Sequence, residues 1–272
     1  MTKSREKTFY IDDESDSKNP SKLYEEICSK INKSDNAKHK RKIAIDLLQK
    51  TIDSNFANLK INFENHQLHV NLVTKGFTKV TDVVIQTIFM FSTQHLHPLT
   101  IPTEAERLSV LAVGGYGREE MAPFSDVDLL FLTPYKITPW AESVIESMLY
   151  ILWDLKLHVG HATRSITECL LMGKKDFTIR TTLLETRRII GDESLVSELN
   201  NRLWNELFQS SATEFITAKL EERLLRHKKH GENRYLLEPN IKEGKGGLRD
   251  LQSLFWIAKY IHHVQRPEQL IE

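Results

Sequence analysis

The chain has 272 residues, of which 40% are hydrophobic, so it is long enough for one large domain or two small ones around a substantial core. Its 37 Lys and Arg residues balance 37 Asp and Glu residues, which excludes a general electrostatic attraction to nucleic acids or anionic membranes. Any site for a polyanion must therefore be local. Cys28 and Cys169 lie far apart without a Cys-x-x-Cys motif, which argues against a disulfide framework or a zinc knuckle and favours a reducing cytosol.

The beginning of the sequence has no feature of an export signal. Its opening residues, MTKSREKTFYIDDESDSKNPSK, are polar and charged, and no later apolar run approaches the length needed to span a membrane. We therefore expect a cytoplasmic protein that binds neither membranes nor nucleic acids.

Residues 1–95 are predicted to form a disordered start followed by a helical segment. Residues 1 to about 20 are rich in Ser, Asp and Lys, a composition that disfavours a packed core. From about Leu23 to His95, apolar residues recur with helical spacing, as at Ile43 and Leu47.

Residues 96–170 are predicted to form an α/β core. Leu108–Val113 is a short apolar run that ends at glycine, and Val127–Leu132 is a second run closed by proline, so both are predicted strands. Apolar residues with helical spacing predict a helix over Trp140–Leu157, and His158–Ser165 can form a third strand.

Residues 171–272 are predicted to be almost entirely helical. Gly191 and Gly231 are interpreted as stops at the C-terminal ends of helices. A cluster of basic residues before Gly231 fits the negative end of a helix dipole, and a further helix is predicted to begin near Leu248.

Two motifs near the middle of the chain indicate chemistry on a nucleotide. Gly114, Gly115 and Gly117 follow the first predicted strand, and glycine lets backbone N–H groups approach phosphate oxygens closely. Asp126 and Asp128 begin the second strand, where side chains at i and i+2 share a face, so both carboxylates could bind the same divalent ions. Each motif also has a purely structural interpretation, a strand-to-helix turn for the glycines and a turn or cap for the aspartates.

Arg118 and Ser125 lie between these motifs and are assigned to the nucleotide site. Arg118 could bind a triphosphate, or it could pair with Glu119 or Glu120 on the surface. Ser125 follows Pro123 in the turn that leads to the first aspartate.

Four stretches of the chain, over roughly residues 105–260, indicate a family. In order they are VGGYGREEMAPFSDVDLLFL, LWDLKLHVGHATRSITECLL, TLLETRRIIGD and LEPNIKEGKGGLRDLQSLFWIAK. Together they resemble the nucleotidyltransferase domain of the bacterial PII-protein uridylyltransferases, which are bifunctional uridylyltransferase/uridylyl-removing enzymes. Gly-Gly followed by Asp-x-Asp alone indicates only the polymerase-β-like superfamily, whereas VGHATRS and EPNIKEGKGGLRD are far more specific.

The resemblance implies a polymerase-β-like core of class α/β (α+β), with a short mixed sheet between N-terminal and C-terminal helical segments. It also implies transfer of UMP from UTP to a tyrosine of the PII nitrogen-regulatory protein, with release of pyrophosphate. Asp126 and Asp128 would be the catalytic residues that bind two Mg²⁺ ions, or Mn²⁺ in their place.

A third carboxylate occurs in many members of the superfamily, and Glu185 is the candidate here. Its structural alternative is a helical ion pair with Arg188, three residues further on. The resemblance also favours a role beyond surface charge for Arg226 and His227.

Two other functions stay open at this point. One is a related nucleotidyltransferase with another nucleotide or acceptor, because nothing in the sequence identifies the base. The other is a non-catalytic remnant that binds nucleotide or PII. In the resembled enzymes the removal of UMP is assigned to an HD domain and glutamine sensing to ACT domains, so we expect no uridylyl-removing activity from these 272 residues.

Overall fold

The computed structural model describes residues 19–32, 37–229, 240–264 and 269. The expectation of disorder for residues 1–18 lies outside these residues. Three helices come first, α1 (Pro20–Ile31), α2 (Ala37–Glu64) and α3 (Val70–Met90), and a π-helical segment, Phe91–Leu96, extends the third. The prediction of a helical segment before the core is confirmed.

Four strands form one mixed sheet. They are β1 (Ser109–Ala112), β2 (Val127–Thr133), β3 (Val159–Ser165) and β4 (Arg187–Gly191), in the spatial order β3-β2-β1-β4. Strand β1 is antiparallel to β2 and β4, whereas β2 and β3 are parallel. The three predicted strands are confirmed and β4 was missed.

Gly191 ends strand β4, so its interpretation as a helix stop is wrong. Its φ angle is +102°, and an added Cβ atom would lie 2.3 Å from the carbonyl oxygen of Leu108. Glycine is required there because the neighbouring chain passes too close for a side chain. Gly231 lies outside the described residues.

The remaining helices surround the sheet. Helix α5 begins at Pro139, capped by Thr138, one residue before the predicted span, and ends within that span at Asp154. Helix α10 begins at Leu248 as predicted. The ranges are α4 (Gly114–Gly117), α5 (Pro139–Asp154), α6 (Ile166–Lys175), α7 (Phe177–Leu184), α8 (Glu193–Leu203) with a π-helical extension Trp204–Phe208, α9 (Ala212–Lys229) and α10 (Leu248–His262).

The sheet separates two hydrophobic cores, one on each face. Alternate residues of β2 face opposite sides: Leu129 and Phe131 pack with α1–α3 and α5, and Leu130 and Leu132 pack with the helices that follow β3. This helix–sheet–helix arrangement confirms the predicted α/β class with helical flanks. Among the described residues, none of the helices is long and apolar enough to cross a membrane.

Candidate active site

The glycine motif forms a single helical turn between β1 and β2. Gly114 adopts a left-handed conformation, with φ +59°, which glycine tolerates without steric cost. The N–H group of Val113 donates to the carbonyl oxygen of Asp128 at 3.1 Å. This bond fixes the start of the turn against the residue that carries one of the two candidate carboxylates.

The other two glycines of the turn have different surroundings. A Cβ atom at Gly117 would lie 2.0 Å from the carbonyl oxygen of Glu185, so this position needs glycine for close backbone packing. A Cβ atom at Gly115 would meet only the guanidinium of Arg118, at 3.7 Å. Close packing therefore does not require glycine at position 115, and the space beside it is open.

Asp126 and Asp128 lie at the start of β2. Asp126 is exposed just before the strand, and Asp128 is half-buried within it. Burial raises the pKa of Asp128, and the charge of Asp126 raises it further. The two carboxylates are therefore close enough to repel each other, and a divalent cation would relieve that repulsion.

Two glycines leave room around the Asp128 carboxylate. A Cβ atom at Gly160, which is the register partner of Asp128 on β3, would lie 2.4 Å from Oδ1. A Cβ atom at Gly114 would lie 3.3 Å from Oδ2. An acidic pair with free space beside it fits the oxygen ligands and the volume that Mg²⁺ needs.

Lys242 is a residue that the sequence analysis left without a role. It belongs to the EPNIKEGKGGLRD motif, and its positive charge lowers the pKa of Asp128 against the two raising effects. The side chain of Asn240 accepts from the N–H groups of Lys242 at 3.0 Å and Glu243 at 2.8 Å, and the N–H of Arg249 donates to the carbonyl of Lys242 at 3.0 Å. These bonds tie the lysine to the start of α10.

Asp250 braces the same loop. It accepts from the N–H of Gly246 at 2.8 Å, from the ring of His227 at 3.0 Å and from the guanidinium of Arg226. Burial raises the pKa of Asp250, but these hydrogen bonds outweigh it and hold the pKa below its usual value. Arg226 and His227 therefore help to hold the loop before α10 in place through Asp250.

Glu185 is almost fully buried, with 4% of its surface exposed. Its Oε1 accepts from Arg118 at 2.6 Å and from the indole N–H of Trp256. Burial raises the pKa of Glu185 against the opposing effect of these donors. The alternative pairing with Arg188 is wrong, since Arg188 lies on β4 and pairs with Glu193 at 3.3 Å.

The candidate residues are only partly brought together. Within the described part of the chain, no group of three His, Cys, Asp or Glu side chains could hold one metal ion, so Glu185 does not join Asp126 and Asp128 in such a group. Arg118 binds Glu185 and also Glu120, at 2.7 Å. The catalytic assignment of Glu185 and the nucleotide assignment of Arg118 stay predictions.

Ser125 closes the turn before the first aspartate. Its hydroxyl accepts from the N–H of Ala122 at 3.0 Å, and its own N–H donates to the Ala122 carbonyl at 3.1 Å. The serine thus holds the backbone that presents Asp126, and its assignment to the nucleotide site stays a prediction.

A partly buried ion pair holds the glycine turn to the N-terminal helices. Asp82 on α3 accepts from the hydroxyl of Tyr116 at 2.7 Å and from two nitrogens of Arg187, at 2.8 and 3.0 Å. Tyr116 is the third residue of the Gly-Gly-Tyr-Gly motif and is 1% exposed. The turn is therefore fixed both to α3 and to β4.

A trough of about 270 Å³ begins at Asp128. It runs along β2 and β3, and α7 forms its other wall. Its polar lining residues are Asp128, His161, Arg164 and Thr182.

Comparison with known proteins identifies relatives over most of the chain. Residues 214–272 match the family model described as GlnD PII-uridylyltransferase. Proteins named bifunctional uridylyltransferase/uridylyl-removing enzyme are similar over longer segments. The one from Ruegeria pomeroyi is 60% identical over 199 residues, which are 73% of this chain and 22% of the relative.

Two further relatives with the same name agree. The protein from Cereibacter sphaeroides is 56% identical over 213 residues, 78% of this chain and 23% of the relative. The protein from Caulobacter vibrioides is 50% identical over 237 residues, 87% of this chain and 25% of the relative. The chain thus spans about a quarter of the length of the curated relatives it matches.

Proposed function

Because the chain belongs to the family of bifunctional uridylyltransferase/uridylyl-removing enzymes, we propose that it supplies the nucleotidyltransferase activity. It would transfer UMP from UTP to a tyrosine of the PII protein in the cytoplasm and release pyrophosphate. The observation that supports this most is the acidic pair, Asp126 and Asp128, next to a glycine turn and within an opening kept free by Gly160.

Each part of the site has a task in this reaction. Asp126 and Asp128 would hold Mg²⁺ or Mn²⁺, which when bound neutralises charge on the triphosphate and lowers the pKa of the attacking hydroxyl. Backbone N–H groups of the turn at Gly114 and Gly115 would bind phosphate oxygens. Lys242, whose charge acts on Asp128, would add a positive charge for the triphosphate.

The acceptor must lose a proton during the transfer. A free tyrosine hydroxyl has a pKa of about 10, so it is a poor nucleophile at neutral pH. Its oxygen forms a bond to the α-phosphorus of UTP while the bond to pyrophosphate breaks, and the proton leaves with solvent or a base. Removing one acidic ligand should therefore stop the reaction and leave the fold intact.

The test is to incubate the chain with PII, Mg²⁺ and each labelled nucleoside triphosphate in turn. We expect labelled UMP on PII from UTP, and no detectable transfer by Asp126→Asn or Asp128→Asn at unchanged melting temperature. Transfer from another nucleotide would indicate a related enzyme, and nucleotide binding without transfer would indicate a binding remnant. A variant that keeps wild-type transfer at saturating Mg²⁺ would contradict the role of the pair.

Absence of uridylyl-removing activity stays a prediction. It is tested by supplying uridylylated PII with Mg²⁺ or Mn²⁺ and measuring released UMP, with and without glutamine. Released UMP would reveal a hydrolytic site in these residues.

A further inference from the structure

The trough has an acidic end and a basic end. Gly160, Ala162 and Arg164 alternate along β3 and therefore face the same side as Asp128, the partner of Gly160. From Gly160 to Arg164 the strand advances four residues, or about 13 Å at roughly 3.3 Å per residue. A ligand with its phosphates at Asp128 would therefore extend along the trough towards Arg164.

The floor between the two ends consists of small side chains. Gly160 and Ala162 leave the volume open, and Leu130 and Leu183 provide apolar walls. The volume of about 270 Å³ is close to the roughly 300 Å³ at which small-molecule pockets begin. A trough of this size can hold part of a nucleotide.

Thr182 presents a hydrogen-bond acceptor at this wall. Its hydroxyl donates to the carbonyl of Thr178 at 3.0 Å, one turn earlier on α7. A hydroxyl has one proton and two lone pairs, so once its proton is engaged the oxygen offers only acceptor sites. A ligand atom opposite Thr182 must therefore be a donor.

Arg164 presents only donors. The charge of Arg164 lowers the pKa of Glu168, although the hydrogen bonds from Ser165 to the same carboxylate lower it more. Among the described residues, none forms a hydrogen bond with the guanidinium of Arg164. A guanidinium has five N–H groups and no acceptor. A ligand atom opposite Arg164 must therefore be an acceptor.

We propose that Arg164 and Thr182 recognise the uracil of UTP at the far end of the trough. Uracil offers a carbonyl acceptor at C4 next to an N3–H donor, and the trough is lined by a donor, Arg164, and an acceptor, Thr182. Cytosine has an amino donor at C4 and an unprotonated N3, so it is mismatched at both positions. This inference rests on the proposed function and adds the residues that select the nucleotide.

The first test uses Thr182→Val, which keeps the shape of the side chain and removes the acceptor. UTP and CTP binding are measured by calorimetry without acceptor protein, and transfer is measured as kcat/KM for each nucleotide. We expect the UTP preference to fall by about tenfold or more, because a site built to hydrogen-bond a group discriminates strongly through that bond. Thr182→Ser keeps the hydroxyl and should keep the preference.

Thr178→Val is the matched control, since Thr178 is exposed on the same helix and does not line the trough. It should leave the preference unchanged. Arg164→Met, which keeps an apolar stem without donors, should weaken UTP binding and leave CTP binding nearly the same. Unchanged preference in both Thr182→Val and Arg164→Met, with the variants folded, overturns the inference.

The two proposals fail in different ways. If the chain binds UTP selectively but never labels PII, the proposed transfer fails, while the binding ratios of the variants still decide the role of Arg164 and Thr182. If the wild-type chain labels PII but binds UTP and CTP equally well, the inference is overturned and the proposed transferase activity stands.

Discussion

At the scale of single residues, the space beside Asp128 is the feature most open to experiment. Gly160→Ala would place a Cβ atom 2.4 Å from Oδ1 of Asp128, so the carboxylate must move. We expect transfer to fall about 100-fold, because a misplacement of about 1 Å at a reacting centre has an effect of that size. Stability should change little, since alanine in a strand is favoured over glycine by roughly 0.5–1 kcal/mol.

The measurement for Gly160→Ala is kcat/KM with UTP beside urea unfolding of the same protein. A loss of transfer with unchanged unfolding supports a role of the open space in binding the metal. Wild-type transfer would mean that the Asp128 carboxylate does not need its present position.

Gly115 and Gly117 allow a matched pair of substitutions within one turn. Gly117→Ala would bring Cβ to 2.0 Å from the Glu185 carbonyl, so it should destabilise the fold by several kcal/mol, as overpacking against backbone does. Gly115→Val meets only the end of Arg118 and should weaken nucleotide binding more than folding. Nucleotide titration and thermal unfolding of both variants decide the matter, and equal nucleotide affinity for Gly115→Val would make that glycine merely structural.

The environment of Glu185 shows what a sequence can and cannot reveal about one side chain. The helical spacing to Arg188 suggested an ion pair, but α7 ends at Leu184 and Arg188 lies on a strand, so the spacing rule does not apply. The actual partners are Arg118 and Trp256, which are distant in sequence and meet Glu185 only in the fold. By contrast, the spacing of Asp126 and Asp128 was enough to predict their proximity.

At the scale of elements, the sequence predicted what is locally periodic and missed what depends on tertiary pairing. Strands β1 and β2 are mostly buried and are followed by glycine and proline, respectively. Helix α5 begins with proline and has an apolar face. Strand β4 has only five residues, including two arginines, and its pairing with β1 contains an irregularity. It forms a strand because it pairs with the edge of β1 that β2 leaves open. No local sequence pattern indicates this pairing.

The third prediction concerns the contacts of Asp82 that connect α3 to the glycine turn and to β4. Asp82→Ala removes the acceptor for both Arg187 and Tyr116 and leaves the guanidinium largely buried without its partner. We expect the free energy of unfolding to fall by about 2–4 kcal/mol. This is less than the roughly 3–5 kcal/mol that follows from breaking a fully buried pair, because both side chains retain some exposure. Nucleotide affinity should fall as well, because Tyr116 lies within the turn.

The matched control for Asp82→Ala is Asp154→Ala. Asp154 pairs with Arg41 at 2.7 Å, but both side chains are more than 40% exposed. Exposed pairs contribute little, so urea unfolding should change by less than about 1 kcal/mol. Equal effects of the two substitutions would show that the Asp82 network does not hold the elements together.

At the scale of the whole molecule, the sheet connects the N-terminal helices to the site. One face of the sheet packs with α1–α3 and α5 and the other with the later helices, while the acidic pair lies at the start of β2 between them. Binding at the site therefore depends on a sheet that both layers support. The division into residues 1–95, 96–170 and 171–272 stays a prediction, and it can be tested directly.

The last prediction concerns a chain that lacks residues 1–95. Its sheet would expose Val110, Ala112, Leu129, Phe131 and Ile189, which share one core with α1–α3. A buried aliphatic or aromatic side chain contributes about 1.5–3 kcal/mol, and domains have only about 5–15 kcal/mol of stability in total, so the shortened chain should not fold cooperatively. Near-ultraviolet circular dichroism, dye binding and urea unfolding measure this, with removal of residues 1–18 as the control because the described core begins at Leu23. A shortened chain that unfolds cooperatively and binds UTP would show that the N-terminal helices form a separate unit.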